Sequence, residues 1–208
     1  MNIAVLGWGS LVWCPGSLRI RTRWRADGPM MPIEFARISQ DGRLTLVIHP
    51  GSPDQTTYWA GSELRKMGEA RKNLCERENS RLDDIHYALR DGRVADGVSR
   101  EIALRVCEWM ARQSDIQGAV WTGLPSNWME KRRRDFTPED AVNYLLEMKA
   151  CGDPDKARYI RAREYVTNTP PLINTVVRQT LRTRGWDDAR LPTILFQDAP
   201  SLANAKEK

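Results

Sequence analysis

A glycine-rich turn lies near the start of the chain, where Gly7-Trp8-Gly9-Ser10-Leu11 follows a short apolar run. Small residues there let backbone N–H groups come close to a ligand, so the turn can cradle an anion or an oxyanion. The alternative is a tight turn with Trp8 and Trp13 serving as core. The dinucleotide fingerprint needs a third glycine opening a helix and an acid about twenty residues further on, and here Pro15 and Gly16 follow too soon for a helix. A P-loop is excluded because no Gly-Lys-Ser/Thr is present. Arg37 can hold a carboxylate through two parallel bonds if its strand, which also carries Ser39, faces this turn; otherwise it is a solvated strand-edge arginine. Tyr165 can offer a hydroxyl to a pocket or be a buried aromatic. Glu78 ends a helical stretch and reads as a helix-end carboxylate paired with Arg77 or Lys72, and Glu147 reads as part of a solvated helix face.

Metal and thiol chemistry have little support. The four cysteines (Cys14, Cys75, Cys107, Cys151) are far apart with no Cys-x-x-Cys pair, and only His49 and His86 could join them. No metal and no cofactor is expected. With 41% hydrophobic and 28% charged residues in 208, the chain can bury a core without a disulfide or metal staple. Its net charge of +5 suits an anionic small ligand or nucleic acid and decides between neither. No run of about eighteen apolar residues occurs, and the N-terminus lacks a signal-peptide pattern, so a cytoplasmic protein without a membrane segment is expected.

The elements that must position these residues begin with Asn2 to Leu6, read as a buried strand delivering the glycine turn. Residues 32 to 39 alternate Ile33, Phe35 and Arg37 against Glu34 and Ala36, then turn at Asp41-Gly42 into the β-rich RLTLVIH, which makes a hairpin. Thr56 to Ala60 is a further β segment. Ser62 is read as the cap of a helix with Leu64, Met67, Ala70 and Leu74 on one face, ending at Glu78 beside Asn79, a residue that tolerates the left-handed conformation. A strand over 82–89, a helix capped by Ser99 with Ile102, Val106, Trp109 and Met110 inward, and a strand over 117–124 follow. Thr137-Pro138-Glu139-Asp140 starts a helix with Ala141, Tyr144, Leu145 and Met148 buried. Helices from Asp155 to about Tyr165, and from beyond Thr169-Pro170-Pro171 through Leu181, complete an α+β fold with a mixed, barrel-like sheet and late helices. One domain over 1–198 and a frayed tail over 199–208 are expected.

VLGWGSLVW, Val5 to Trp13, resembles the N-terminal signature of the γ-glutamylcyclotransferase-like proteins, especially the ChaC-type branch with its Phe-Gly-Tyr-Gly-Ser-Leu-Ile-Trp; Trp8 stands in the tyrosine slot. Further stretches agree in order. RLTLVIHPG resembles the family hairpin, Leu74-Cys75-Glu76-Arg77-Glu78 its Leu-x-x-Arg-Glu element, AVWTGLPSNW a later strand and turn, and EYVTNTPPLINTVVRQTLR the C-terminal Tyr-x-x-Pro and helix, with Asn174 in an asparagine position. Residues 92–114 and 129–153 then read as insertions. Asn79-Ser80 stands where the family has glycines, and Pro170-Pro171 where it has Gly-Pro.

The resemblance implies an enzyme in which the α-amine of a γ-glutamyl group attacks its own γ-carbonyl, giving 5-oxoproline and releasing an amine or peptide. It implies Glu78 as the acid/base and Gly7, Trp8, Gly9, Ser10 and Leu11 as the ligand and oxyanion loop; Arg37 and Tyr165, read from residue type and position, are the further candidates for the substrate site, and Glu147 is the rival carboxylate. The implied partner is a small γ-glutamyl compound or peptide. A non-catalytic binding module for a small molecule or protein on the same fold is the alternative. Nucleic acid is disfavoured: Arg19, Arg21, Arg23 and Arg25 alternate and Lys131 to Arg134 form a basic run, but no recognition helix or aromatic-basic pattern accompanies them.

Overall fold

The structure, a computed structural model, describes residues 1–150 and 155–186. The expected tail at 199–208, the stretch 187–198 and Cys151 lie outside the described residues. The described chain is α+β. A mixed four-stranded sheet has the order β5-β1-β7-β6, from Tyr58–Gly61, Ile3–Gly7, Gly118–Thr122 and Ile85–Leu89. β1 runs parallel to β7 and antiparallel to β5, so it is the inner strand that carries the glycine turn at its C-terminal end. An antiparallel sheet has the order β3-β2-β4, from Leu44–Ile48, Met30–Ile38 and Asp54–Thr56. The helices are α1 (Ser10–Trp13), α2 (Met67–Glu78), α3 (Arg100–Arg112), α4 (Trp128–Arg132), α5 (Pro138–Ala150), α6 (Asp155–Asn168) and α7 (Val176–Thr183).

Several expectations are corrected. Among the described residues the strands form two sheets and close no barrel. The β segment at 56–60 is split by Thr57, fully buried with its hydroxyl on the Pro29 carbonyl at 2.8 Å, so β4 and β5 enter different sheets. Ser62 does not cap α2: its amide bonds the Ile3 carbonyl at 2.8 Å and it bridges Ile20, which delays the helix to Met67 and leaves Leu64 outside. The strand expected from 82 starts at Ile85, after a 3-10 turn over Leu82–Asp84. A single helical turn does fit before Pro15, as α1.

The expected alternation of β2 fails most informatively. Its residues from Met31 to Ala36 are all buried, including Glu34, because β2 is the middle strand of its sheet and α3, α4, α5 and α7 all pack on it. The Glu34 carboxylate accepts from Phe35 N–H at 2.8 Å, Val176 N–H at 2.9 Å and Val177 N–H at 3.4 Å, which fastens the start of α7 to the strand. Other readings are confirmed. Ser99 caps α3 by accepting from Ile102 N–H, with Ile102, Val106, Trp109 and Met110 buried. Thr137 accepts from Asp140 N–H at 3.1 Å at the start of α5, whose Ala141, Leu145 and Met148 are buried. The inner faces of α3, α4 and α5 share the main apolar core with β1, β2 and β3. Among the described residues no helix is long and apolar enough to cross a membrane.

Replacing Glu34 with Ala strands the three N–H donors of Phe35, Val176 and Val177 in an apolar interior. Unsatisfied buried groups cost about 1–3 kcal/mol each, so Glu34→Ala is expected to lose at least about 3 kcal/mol, read as a lower denaturant midpoint at unchanged slope.

Candidate functional site

Five parts of the chain converge at the C-terminal ends of the parallel pair β1 and β7. The turn after β1 brings Trp8, Gly9, Ser10 and Leu11; the segment at the end of β7 brings Thr122 and Leu124. The β2–β3 hairpin adds Arg37, Ser39, Arg43, Thr45 and Leu46, the last turn of α2 adds Arg77 and Glu78, and α6 adds Tyr165. They enclose a cavity of about 240 Å³. That is below the roughly 300–1,000 Å³ of drug-sized sites, so it suits a small head group with the rest of a longer ligand outside.

Glu78 occupies the last position of α2, and the following Asn79 ends the helix in the left-handed conformation (φ 48°), which asparagine tolerates. The carboxylate is 20% exposed and pairs with Arg77 at 2.8 Å. Burial raises its pKa above the ordinary glutamate value, and the Arg77 charge offsets part of that rise. Arg77 also donates to Ser10 Oγ at 3.3 Å, the Cys14 carbonyl at 2.5 Å and the Pro15 carbonyl at 3.3 Å. One guanidinium thus binds the carboxylate and the turn together.

Tyr165 reaches the turn from the opposite side. Its ring packs edge-on to Trp13 at 5.3 Å and Phe35 at 6.2 Å between centroids, with the Arg43 guanidinium over it at 5.7 Å. The hydroxyl lies deep, with the backbone amides of Ser10 and Leu46 directed at its oxygen; burial, helped by the Glu78 charge, pushes the phenol up to about 12. A Cβ on Gly9 would sit 2.5 Å from this oxygen, which accounts for the glycine. Leu46 lies where the β2–β3 register shifts between Glu34 and Arg37, so Phe35 and Ala36 together oppose one residue, a bulge of the kind found beside active sites. Its carbonyl accepts from Trp8 Nε1 at 3.3 Å.

The structure therefore gathers Trp8, Gly9, Ser10, Leu11, Arg37, Glu78 and Tyr165 around one cavity. Gly7 does not line it; its Cα backs onto Trp24, where a Cβ would be 2.9 Å from the ring. Glu147 is elsewhere, exposed and paired with Arg132 at 2.9 Å. Ser39 lines the cavity while its hydroxyl donates to Asp41 at 2.6 Å. Asn174 is also outside, its amide bonded to Gln55 at 2.8 Å. Sequence reasoning missed Arg43, Arg77 and Leu46 as site residues. Arg77 was legible as a charge between two acids at a helix end, whereas the Leu46 backbone left no trace because a bulge depends on pairing.

The two basic runs are largely engaged within the chain. Arg19 pairs with Glu63, Arg25 with Asp27, Lys131 with Glu130 and Arg134 with Asp140. Among the described residues no group of three His, Cys, Asp or Glu could hold a metal ion. Comparison with protein-family models, curated proteins and solved structures finds no match for this chain. What the cavity offers chemically is a carboxylate poised to exchange a proton, hydrogen-bond donors on the facing wall, and guanidinium groups for an anion.

The Gly9 contact can be checked directly. Gly9 has a negative φ of −119°, so the clash with Tyr165 is the main expected cost of a methyl there. Gly9→Ala is expected to lose about 1–3 kcal/mol, the usual range for overpacking, and adding Tyr165→Phe is expected to restore most of it, as measured by thermal unfolding of the single and double variants.

Proposed function

We propose that this chain is a γ-glutamylcyclotransferase-like enzyme, with the α+β fold of that family, which cyclises a γ-glutamyl group to 5-oxoproline and releases an amine or peptide. The observation that supports it most is the meeting of a partly buried Glu78, with a raised pKa, and the Gly9–Leu11 turn in one small cavity. The reaction needs a base for the α-ammonium. Glu78 takes that proton, the freed amine forms a bond to the γ-carbonyl carbon, and the resulting tetrahedral centre expels the other nitrogen, which takes the proton back from Glu78; the attacking nitrogen passes its second proton by the same carboxylate to the departing amine, leaving a neutral lactam and an ammonium product. No water and no oxidant enters the balance.

Donors at the turn stabilise the oxygen as it gains charge, and a ligand held folded gains rate from proximity. Arg37 suits the α-carboxylate: its guanidinium donates to the Pro125 carbonyl at 2.7 Å and makes no ion pair with the described residues. The tryptophan at position 8 supports the turn through its bond to Leu46, a role that needs no phenolic hydroxyl.

A second reading, a non-catalytic small-ligand module, is favoured by the direct Arg77–Glu78 pair, which satisfies the carboxylate without any substrate. The two separate on an assay of 5-oxoproline release across γ-glutamyl peptides and γ-glutamyl amines. The enzyme reading expects turnover that falls about 10²–10⁴-fold in Glu78→Gln. Unchanged release in that variant removes Glu78 from the role, and binding of the compounds without release leaves the module.

The pH dependence follows from the direction of the Glu78 shift. A base works deprotonated, so kcat/KM is expected to rise with pH through a value above the ordinary glutamate pKa of 4.5. Arg77 lowers that pKa, so in Arg77→Gln the acid limb of the pH–rate profile is expected to move to still higher pH.

A further inference from the structure

The wall facing the carboxylate carries more detail than a glycine turn alone. A phenol oxygen has one hydrogen to donate and lone pairs to accept with. At Tyr165 the amides of Ser10 and Leu46 approach from the protein side, and the Cα of Gly9 closes another side, since a Cβ there would be 2.5 Å from the oxygen. The hydrogen is left the direction into the cavity, where the Glu78 charge acts on the phenol. The ring cannot swing without losing its edge contacts to Trp13 and Phe35 and the Arg43 guanidinium over its face.

We infer that Tyr165 is the hydrogen-bond donor to the reacting carbonyl oxygen, and that the amides of Ser10 and Leu46 act on that oxygen through the phenol. The assignment rests on the cyclotransferase reading for the identity of the oxygen and deepens it. It also relocates the oxyanion contact: the donor is a side chain from α6, held by backbone at the start of α1 and in β3. Two amide dipoles aimed at one hydroxyl oxygen make its proton a better donor, because polar groups in a chain polarise one another. The donor is neutral at working pH and set in place before the ligand arrives, which is the condition for stabilising developing charge without reorganisation. The bulge at Leu46 then has a function, turning a strand backbone both to Trp8 and to the phenol.

The decisive variant is Tyr165→Phe, which keeps the ring and its stacking. Two readouts are taken on the full chain: steady-state release of 5-oxoproline from a γ-glutamyl dipeptide, and calorimetric binding of 5-oxoproline itself, whose lactam carbonyl presents the same oxygen. A circular-dichroism melt close to that of the wild type is expected, with kcat down about 10²–10³-fold, KM within about threefold, and 5-oxoproline affinity weakened about tenfold. If the melt instead collapses, affinity is compared in Tyr165→3-fluorotyrosine, where the hydroxyl is more acidic and tighter binding at unchanged fold is expected; unchanged binding overturns the assignment. Wild-type chain that fails to bind 5-oxoproline, or a phenylalanine variant that binds it as well as wild type, also overturns it. Normal binding by wild type and weakened binding by the phenylalanine variant, with no release from any γ-glutamyl compound, supports the donor and defeats the cyclotransferase reading. A loss of release in Tyr165→Phe alongside full activity in Glu78→Gln supports the donor and removes only the base.

Discussion

Arg77 carries its charge into a position where its side chain is only 15% exposed, and the geometry around the cavity is organised by satisfying it. Its donors reach a carboxylate one residue away on α2 and three acceptors on the segment from Ser10 to Pro15. A part-buried guanidinium deprived of partners costs several kcal/mol, so the end of α2 and the turn after β1 cannot shift independently. The planar fork matters as much as the charge, because lysine would have neither the reach nor the number of directed donors to hold both. Everything else at the site is placed relative to that junction.

Glu34 and Glu78 show how two desolvated carboxylates are committed to different surroundings. Burial raises the pKa of both. Glu34 is held by the amides of Phe35, Val176 and Val177, which occupy its oxygens and commit it to fastening α7. Glu78 has Arg77 on one oxygen, and the other makes no hydrogen bond with the described residues. For each, a folded pKa above the unfolded one means the folded state binds the proton more tightly, so the stability it contributes is complete below about pH 4.5 and is lost as pH rises through the raised value. At Glu34 that loss is limited by backbone donors, while at Glu78 it is limited by the Arg77 guanidinium.

Local signals carried far into the fold. The cap at Ser99, the Thr137-Pro138 start and the left-handed Asn79 depend on residues within one helical turn of each other, and all three are realised. What failed was set by tertiary neighbours. Ser62 has the chemistry of a cap, but β1 claims its amide first. Glu34 reads as the outward residue of an alternating strand, yet four helices pack on β2 and bury it, and the backbone donors of Phe35 and of α7, the latter well over a hundred residues on, make its burial tolerable. The site followed the same division: the turn, Glu78, Arg37 and Tyr165 were visible by residue type and motif, while Leu46 contributes only backbone, which sequence does not mark.

The positive charge of the whole chain says less about the ligand than the arrangement of the three arginines at the cavity. With a screening length of about 8–10 Å at physiological salt, exposed charges scattered over the surface act weakly on a molecule already inside. Arg43 is matched by Asp41 at 2.8 Å and Arg77 by Glu78, so their fields are largely cancelled where they stand. Arg37 has a carbonyl as its hydrogen-bonded partner and is half-buried at the boundary between the cavity and the open hollow lined by Pro125, Asn127, Met129 and Arg133. An anion there meets a guanidinium that forms no ion pair within contact distance among the described residues, the Asp84 carboxylate feeling its charge only at longer range, in surroundings less screened than the surface. On the proposed reading, selection for an acidic head group acts through Arg37, and it would persist if the net charge of the chain were brought to zero by substitutions on the outer face.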